Sequence, residues 1–179
     1  SKTNYLTYKT LKENNDLILK ANPTLLLKAI KNKVEIANTK VAHINDGLVM
    51  TKFMYYLKNN IENGLTELSV ADYLEKERSK VSDYIDLSFS TIAAYGPNGA
   101  MMHYAPSKNN NSKIEGKSFL LVDSGGHYLG GTTDITRTFA CGVLTEEEKI
   151  NFTTVLKSVI DLSSVVFMKG CTGLNLDIL

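Results

Sequence analysis

Asp123, Asp134 and His103 are the side chains of this sequence best placed to do chemistry. Asp123 ends the apolar run Phe119-Leu120-Leu121-Val122, where a carboxylate faces a heavy desolvation cost unless something positive meets it. A cation meets that need most simply. Asp134 follows eleven residues later at the head of a second strand-like run, and a hairpin with a glycine-rich connection could bring both carboxylates to one side of a sheet. Two carboxylates held close repel each other unless a metal lies between them, and hard oxygen donors suit manganese, magnesium or a zinc-like ion better than copper. His103 stands in a polar loop just upstream, with His43 and His127 fitting less well into any site.

Blander accounts of the same residues compete. Aspartate before Gly125-Gly126 is ordinary turn chemistry, and Asp134 could simply pair with Arg137, so spacing alone does not decide. A calcium loop fails: Asp123 and Asp134 would be its first and twelfth positions, but the third is Gly125, the fifth is His127 and the bidentate glutamate is absent. A phosphate loop at Gly96-Pro97-Asn98-Gly99-Ala100 also fails, because Met101-Met102 stands where Gly-Lys is required.

These residues must be positioned by a framework that the sequence outlines. Ile30, Val34, Ala37, Val41, Ile44 and Leu48 recur at steps of four and three, predicting a long helix to about Asn60 with that stripe as its apolar face. Ser69 with Asp72 suggests a second helix over 69–80. Residues 87–95 read as a strand, 96–112 as loop with a short strand at 101–104, and 119–123 and 134–139 as an antiparallel pair. Thr145 with Glu148 opens a third helix to about Lys169. Residues 1–23 alternate like two short strands around a polar turn.

With 179 residues, 43% of them hydrophobic, the chain can bury one substantial core. Its net charge of +1 supplies no broad basic surface for nucleic acid. Cys141 and Cys171 form no CxxC pair or disulfide framework, no signal-like segment is present and no apolar run could cross a bilayer, so a cytoplasmic protein in a reducing compartment is expected. The chain starts on Ser1-Lys2 rather than Met and finishes on Asn175–Leu179, which reads like a helix cut off in mid-turn, so part of a longer protein is expected.

The run Asp123-Ser-Gly-Gly-His-Tyr-Leu-Gly-Gly-Thr-Thr-Asp134-Ile-Thr-Arg-Thr138 resembles the aminopeptidase P branch of the pita-bread metallopeptidases, a superfamily shared with prolidase and methionine aminopeptidase. Leu27-Lys-Ala-Ile-Lys-Asn-Lys-Val-Glu35 and Gly96-Pro-Asn-Gly-Ala-Met-Met-His-Tyr-Ala-Pro106 agree in the same order. The resemblance covers residues 24–179 and makes 1–23 the tail of a preceding domain. It implies an α/β (α+β) pita-bread fold, of which this is the first half: an antiparallel sheet with a long helix packed on it.

Carried over residue by residue, Asp123 matches the first metal ligand, Asp134 the aspartate that bridges two metals and Thr136 a threonine behind the ligands. His103 matches a histidine near the scissile bond that binds substrate or helps to move protons. Two divalent ions, manganese in this branch, would hold a bridging water that cuts the bond between an N-terminal residue and a following proline. A metal supplies that water at neutral pH, so no serine or cysteine nucleophile is needed. The family's remaining ligands, a histidine in His-Gly-x-Gly-His and two glutamates, lie downstream of the third helix and are not in this chain.

The isolated chain is therefore expected to bind metal weakly or not at all and to lack peptidase activity. Its uncovered apolar surface should make it associate with itself or stay loosely packed. Homodimers are common in this branch, though nothing in these residues derives one. A prolidase-type dipeptidase and a non-catalytic binding module on the same fold are the alternatives.

Overall fold

The computed structural model describes residues 3–178. It divides into two compact units, Ser1–Asn38 and Thr39–Leu179. The first contains two short helices rather than the strands expected over 1–23. Helix α1 (Tyr5–Lys12) starts where the Asn4 side chain accepts a hydrogen bond from the Leu6 amide at 2.8 Å. Helix α2 (Pro23–Ala29) starts on Asn22, which accepts from Thr24, with Pro23 in the first turn. The apparent alternation is a helical stripe: Tyr5 and Tyr8 lie one turn apart with ring centroids 6.4 Å apart. Ser1 and Lys2 lie outside the described residues.

Helix α3 (Lys33–Asn60) has the expected length, but its buried face differs from the expected one. Val41, Ile44 and Leu48 are 54%, 70% and 56% exposed, and Ile30 precedes the helix as the C-cap of α2. The core is instead built by Ala42, Val49, Met50, Phe53 and Leu57. The helix carries apolar residues around most of its circumference, and the side bearing Phe53 and Leu57, both fully buried, removes the larger area from water. They pack with Val70, Ala71 and Leu74 of α4 (Glu67–Arg78) and with one face of a sheet. The α4 cap lies earlier than expected: Thr66 and Ser69 form the capping box, because their backbone and side-chain groups satisfy each other reciprocally.

That sheet is antiparallel, in the order β2 (Ile92–Tyr95), β3 (Phe119–Ser124), β6 (Ile135–Ala140). Leu120 and Val122 of β3 and Phe139 of β6 face the core, while Phe119, Leu121 and Asp123 alternate to the more open side. The strand expected over 87–95 is broken. Only its Leu87 falls in β1 (Tyr84–Leu87), which pairs with β4 (Gly126–Tyr128) in a second small sheet completed by β5 (Gly131–Thr132), and 88–91 are in no strand.

The break is made by Ser88, whose amide donates to Gly125 O at 3.1 Å and whose hydroxyl donates to Thr133 O at 2.9 Å. Gly125 permits this approach, because a Cβ there would lie 2.0 Å from Thr133 O and 2.4 Å from Ser88 Oγ. No strand forms over 101–104; a turn takes its place. Helix α5 (Glu146–Ser164) opens on the expected Thr145/Glu148 capping box but stops five residues before Lys169. A short α6 (Gly173–Leu176) follows, and Leu179 lies outside the described residues. Among the described residues no helix is long and apolar enough to cross a membrane.

Candidate functional site

Strand β3 carries Asp123 in its interior, paired on one side with Ile92 and on the other with Thr136. Asp123 is thus a strand residue and not a turn residue. The Thr136 hydroxyl donates to Asp123 Oδ1 at 2.6 Å, fixing the carboxylate's orientation and leaving Oδ2 without a partner among the described residues. Asp134 is exposed and lies two residues before Thr136. Thr136 and Asp123, paired across the ladder, share one side of the sheet, while Asp134 lies one residue outside β6 rather than in the strand expected over 134–139. Asp134 forms no pair with Arg137, whose Nη1 donates instead to Thr136 O at 2.7 Å. The two aspartates offer hard oxygen donors, one of them pre-oriented, which fits a divalent cation of the manganese or magnesium kind.

His103 is not gathered in with them. It lies exposed in the turn Met101–Tyr104, closed by a Tyr104 amide bond to Met101 O at 3.3 Å, with φ of 55°. Among the described residues no group of three or more His, Cys, Asp or Glu side chains comes together as a metal cage.

Two buried polar clusters behind this face escaped the sequence reading. Asp46, on the buried side of α3, accepts from Arg78 Nε at 2.7 Å and Nη2 at 3.2 Å, and both side chains are fully buried. The Thr133 hydroxyl donates to Asp46 Oδ2 at 2.5 Å and accepts from the Gly126 amide at 2.9 Å. Residue 133 immediately precedes Asp134, so this cluster fixes the chain just where the second carboxylate emerges. Burial, and then the Asp46 charge, push the Tyr128 hydroxyl far above its ordinary pKa. A signal existed for this cluster: Asp46 stands among Ala42, Val49 and Met50 at helical spacing, a charge within an apolar stripe.

The second cluster centres on Glu67, the first residue of α4 and fully buried. Its Oε1 accepts from the Tyr95 amide at 2.7 Å and from Asn98 Nδ2 at 2.9 Å. Its Oε2 accepts from the Tyr104 hydroxyl at 2.7 Å and the Ser112 amide at 2.8 Å. Burial and the bond to Glu67 push the Tyr104 hydroxyl up to about 12. Nothing in the sequence pointed to Glu67, since a glutamate in the first turn of a helix is commonplace.

Comparison with known proteins gives the family to which this antiparallel sheet backed by a long helix belongs. Residues 37–179 match the model of metallopeptidase family M24, and the chain belongs to that family. It is 48% identical over 155 residues to the "Probable Xaa-Pro aminopeptidase P" of Aspergillus flavus and 44% identical over 161 residues to that of Aspergillus clavatus. These alignments cover 85% and 88% of this chain and 24% of each relative, so the chain spans about a quarter of their length.

Among solved structures it resembles the X-prolyl aminopeptidase of Caenorhabditis elegans, described as a cytosolic enzyme with a di-nuclear active site. The TM-score is 0.77 at 34% identity, covering 85% of this chain and 25% of that one. It also resembles an Xaa-Pro dipeptidase from Bacillus anthracis, with a TM-score of 0.74 at 27% identity, covering 88% of this chain and 42% of that one. The expected α/β pita-bread fold and the likeness to aminopeptidase P both stand.

Proposed function

We propose that these residues supply the first part of the active site of an Xaa-Pro aminopeptidase, which releases the N-terminal residue from peptides with proline in second place. The observation that carries this reading is the Asp123–Thr136 bond, with the exposed Asp134 two residues before Thr136 and without a competing partner among the described residues. Asp123 and Asp134 would be carboxylates that help to hold two divalent ions; hard oxygen donors suit manganese and magnesium alike, and the resemblance to aminopeptidase P favours manganese. When bound, such ions supply Lewis acidity and a water acidified toward neutrality. Thr136 holds Asp123 in its ligating rotamer. His103 binds the peptide or carries a proton near the scissile bond. Residues 24–179 belong to the catalytic domain, and 1–23 to the end of the domain before it.

Two carboxylates are too few to hold two ions tightly. These 179 residues alone are therefore inactive and bind manganese weakly, while a protein of the relatives' full length that includes them binds two ions. The likeness to a cytosolic enzyme supports a cytosolic site of action.

Calorimetry tests the reading. Manganese is titrated into this chain and into the full-length protein, each with and without Asp134→Asn. Tight two-ion binding by the full-length protein alone, lost on substitution, is expected; unchanged binding by the Asp134→Asn protein would remove Asp134 from the site. Likeness to the Bacillus anthracis dipeptidase supports a second reading, cleavage of Xaa-Pro dipeptides. Tripeptides of the Xaa-Pro-Xaa kind, assayed beside Xaa-Pro dipeptides, separate the two.

A further inference from the structure

His103 occupies a backbone conformation that is uncommon for residues other than glycine, although histidine enters it more readily than most. Its φ of 55° lies in the left-handed region, and it is the third residue of a four-residue turn, where glycine or asparagine is the usual occupant. An exposed loop residue holds such a conformation steadily where its surroundings support it. The His103 side chain has no hydrogen-bond partner among the described residues, so the constraint must come through the backbone from its neighbours.

The next residue is Tyr104, which is 5% exposed and whose hydroxyl donates to Glu67 Oε2 at 2.7 Å. Asn98, five residues before His103, donates to the other oxygen of the same carboxylate at 2.9 Å and to the Tyr104 hydroxyl at 3.1 Å. Glu67 thus grips the chain on both sides of His103, at 95 and 98 before it and at 104 and 112 after it. The far end of the loop is tied again to the start of α4, where the amides of Glu67 and Leu68 donate to Ser112 O at 3.0 Å and Asn111 Oδ1 at 2.9 Å. Those amides would otherwise be among the unsatisfied donors of the helix N-terminus.

We infer that the buried Glu67 carboxylate is a positioning residue for His103, holding the turn 101–104 in its left-handed form through Tyr104 and Asn98. This rests on the reading that His103 serves the peptidase reaction. Glu67 touches no substrate. Its task is to keep an exposed histidine, on a loop rich in glycine and asparagine, from sampling the many conformations open to such a loop.

The primary test is nuclear magnetic resonance on this chain, using backbone amide order parameters. In the parent, the His103 amide should be as ordered as Val122 of β3, near about 0.85. In Tyr104→Phe and in Glu67→Gln it should fall below about 0.6, with Val122 unchanged. Tyr104→Phe removes the hydroxyl with its bonds to Glu67, Asn98 and Asn110 O and leaves the carboxylate in place, so it remains informative if Glu67→Gln does not fold. An ordered His103 amide in folded Tyr104→Phe overturns the inference, as does an equal loss of order at Val122. The imidazole signals of His43 and His127 are internal controls and should not move.

A second arm separates this inference from the functional reading. In the full-length, manganese-loaded protein, Tyr104→Phe should lower kcat at least tenfold, and adding it to His103→Ala should lower kcat no further. Full turnover by His103→Ala would overturn the role of His103 in the reaction, while the order parameters would still decide whether Glu67 holds the turn.

Discussion

Thr136 faces Asp123 across the β3–β6 ladder, and its hydroxyl is the only group among the described residues that orients that carboxylate. Groups that orient a ligand from behind tune its affinity for metal. Thr136→Val keeps the shape and removes the donor, so manganese affinity of the full-length protein should fall by about tenfold to a hundredfold. The thermal midpoint should hardly change, because Thr136 is exposed; a calorimetric Kd equal to the parent's would show that the hydroxyl is idle. Tyr104 and Cys141 give a second measurable consequence. Burial lifts Tyr104 from 10.0 to about 12 and Cys141 from 9.0 to about 11. Both groups keep their protons more tightly when folded, so their contribution is intact below the unfolded values and is lost as pH rises through the folded ones. Urea midpoints should therefore hold up to about pH 9 and decline from there to about pH 12, with Cys141→Ala removing the earlier part of the decline.

Helix α3, helix α4 and the β4–β5 hairpin meet at the Asp46–Arg78–Thr133 cluster, so a loss there is felt by all of them. Arg78→Met leaves the Asp46 charge buried without its partner, and breaking such a pair costs about 3–5 kcal/mol. The double variant Asp46→Leu with Arg78→Met removes both charges and should recover most of that loss, since well-packed apolar replacements of buried pairs are often neutral. Chemical denaturation of the two variants measures the difference. Equal destabilisation by both would mean that packing, and not the charge pair, sets the junction. Because Thr133 adjoins Asp134, the single variant should also loosen the second carboxylate.

The unit Thr39–Leu179 leaves much apolar surface facing water. On α3, Val41, Ile44 and Leu48 are exposed, and α5 buries none of its residues, with Ile150, Val155 and Val159 63%, 64% and 55% exposed. Patches of this kind are rarely left bare on a monomer. Light scattering on this chain should show a mass that rises with concentration, and Ile44→Glu with Leu48→Lys should bring it back toward the monomer. A compact parent of constant mass would contradict this. The stripe that the sequence singled out on α3 thus retains a meaning, though it is not the face that forms the core here.

Local chemistry made part of the protein legible from its residues. The alternation Phe119–Ser124, the facing run from Ile135, the Thr145/Glu148 box and the Asp-Ser-Gly-Gly motif each depend on neighbours within a few positions, where backbone geometry sets the period. Those elements formed close to the runs 119–123 and 134–139 read from the sequence, with β3 one residue longer, β6 starting at Ile135 so that Asp134 falls just outside it, and Asp123 opposite Thr136. The stripe of α3 that is buried, the split of 84–95 between two sheets and the partners of buried charges depend on residues distant in the chain. Asp46 and Thr133 are 87 positions apart, and Glu67 lies 28 from Tyr95 and 37 from Tyr104. A period of 3.6 residues describes every face of a helix equally well, so it cannot say which face meets a sheet. That choice is made by the area each face removes from water. A buried carboxylate in turn has a place only where the folded chain delivers its donors.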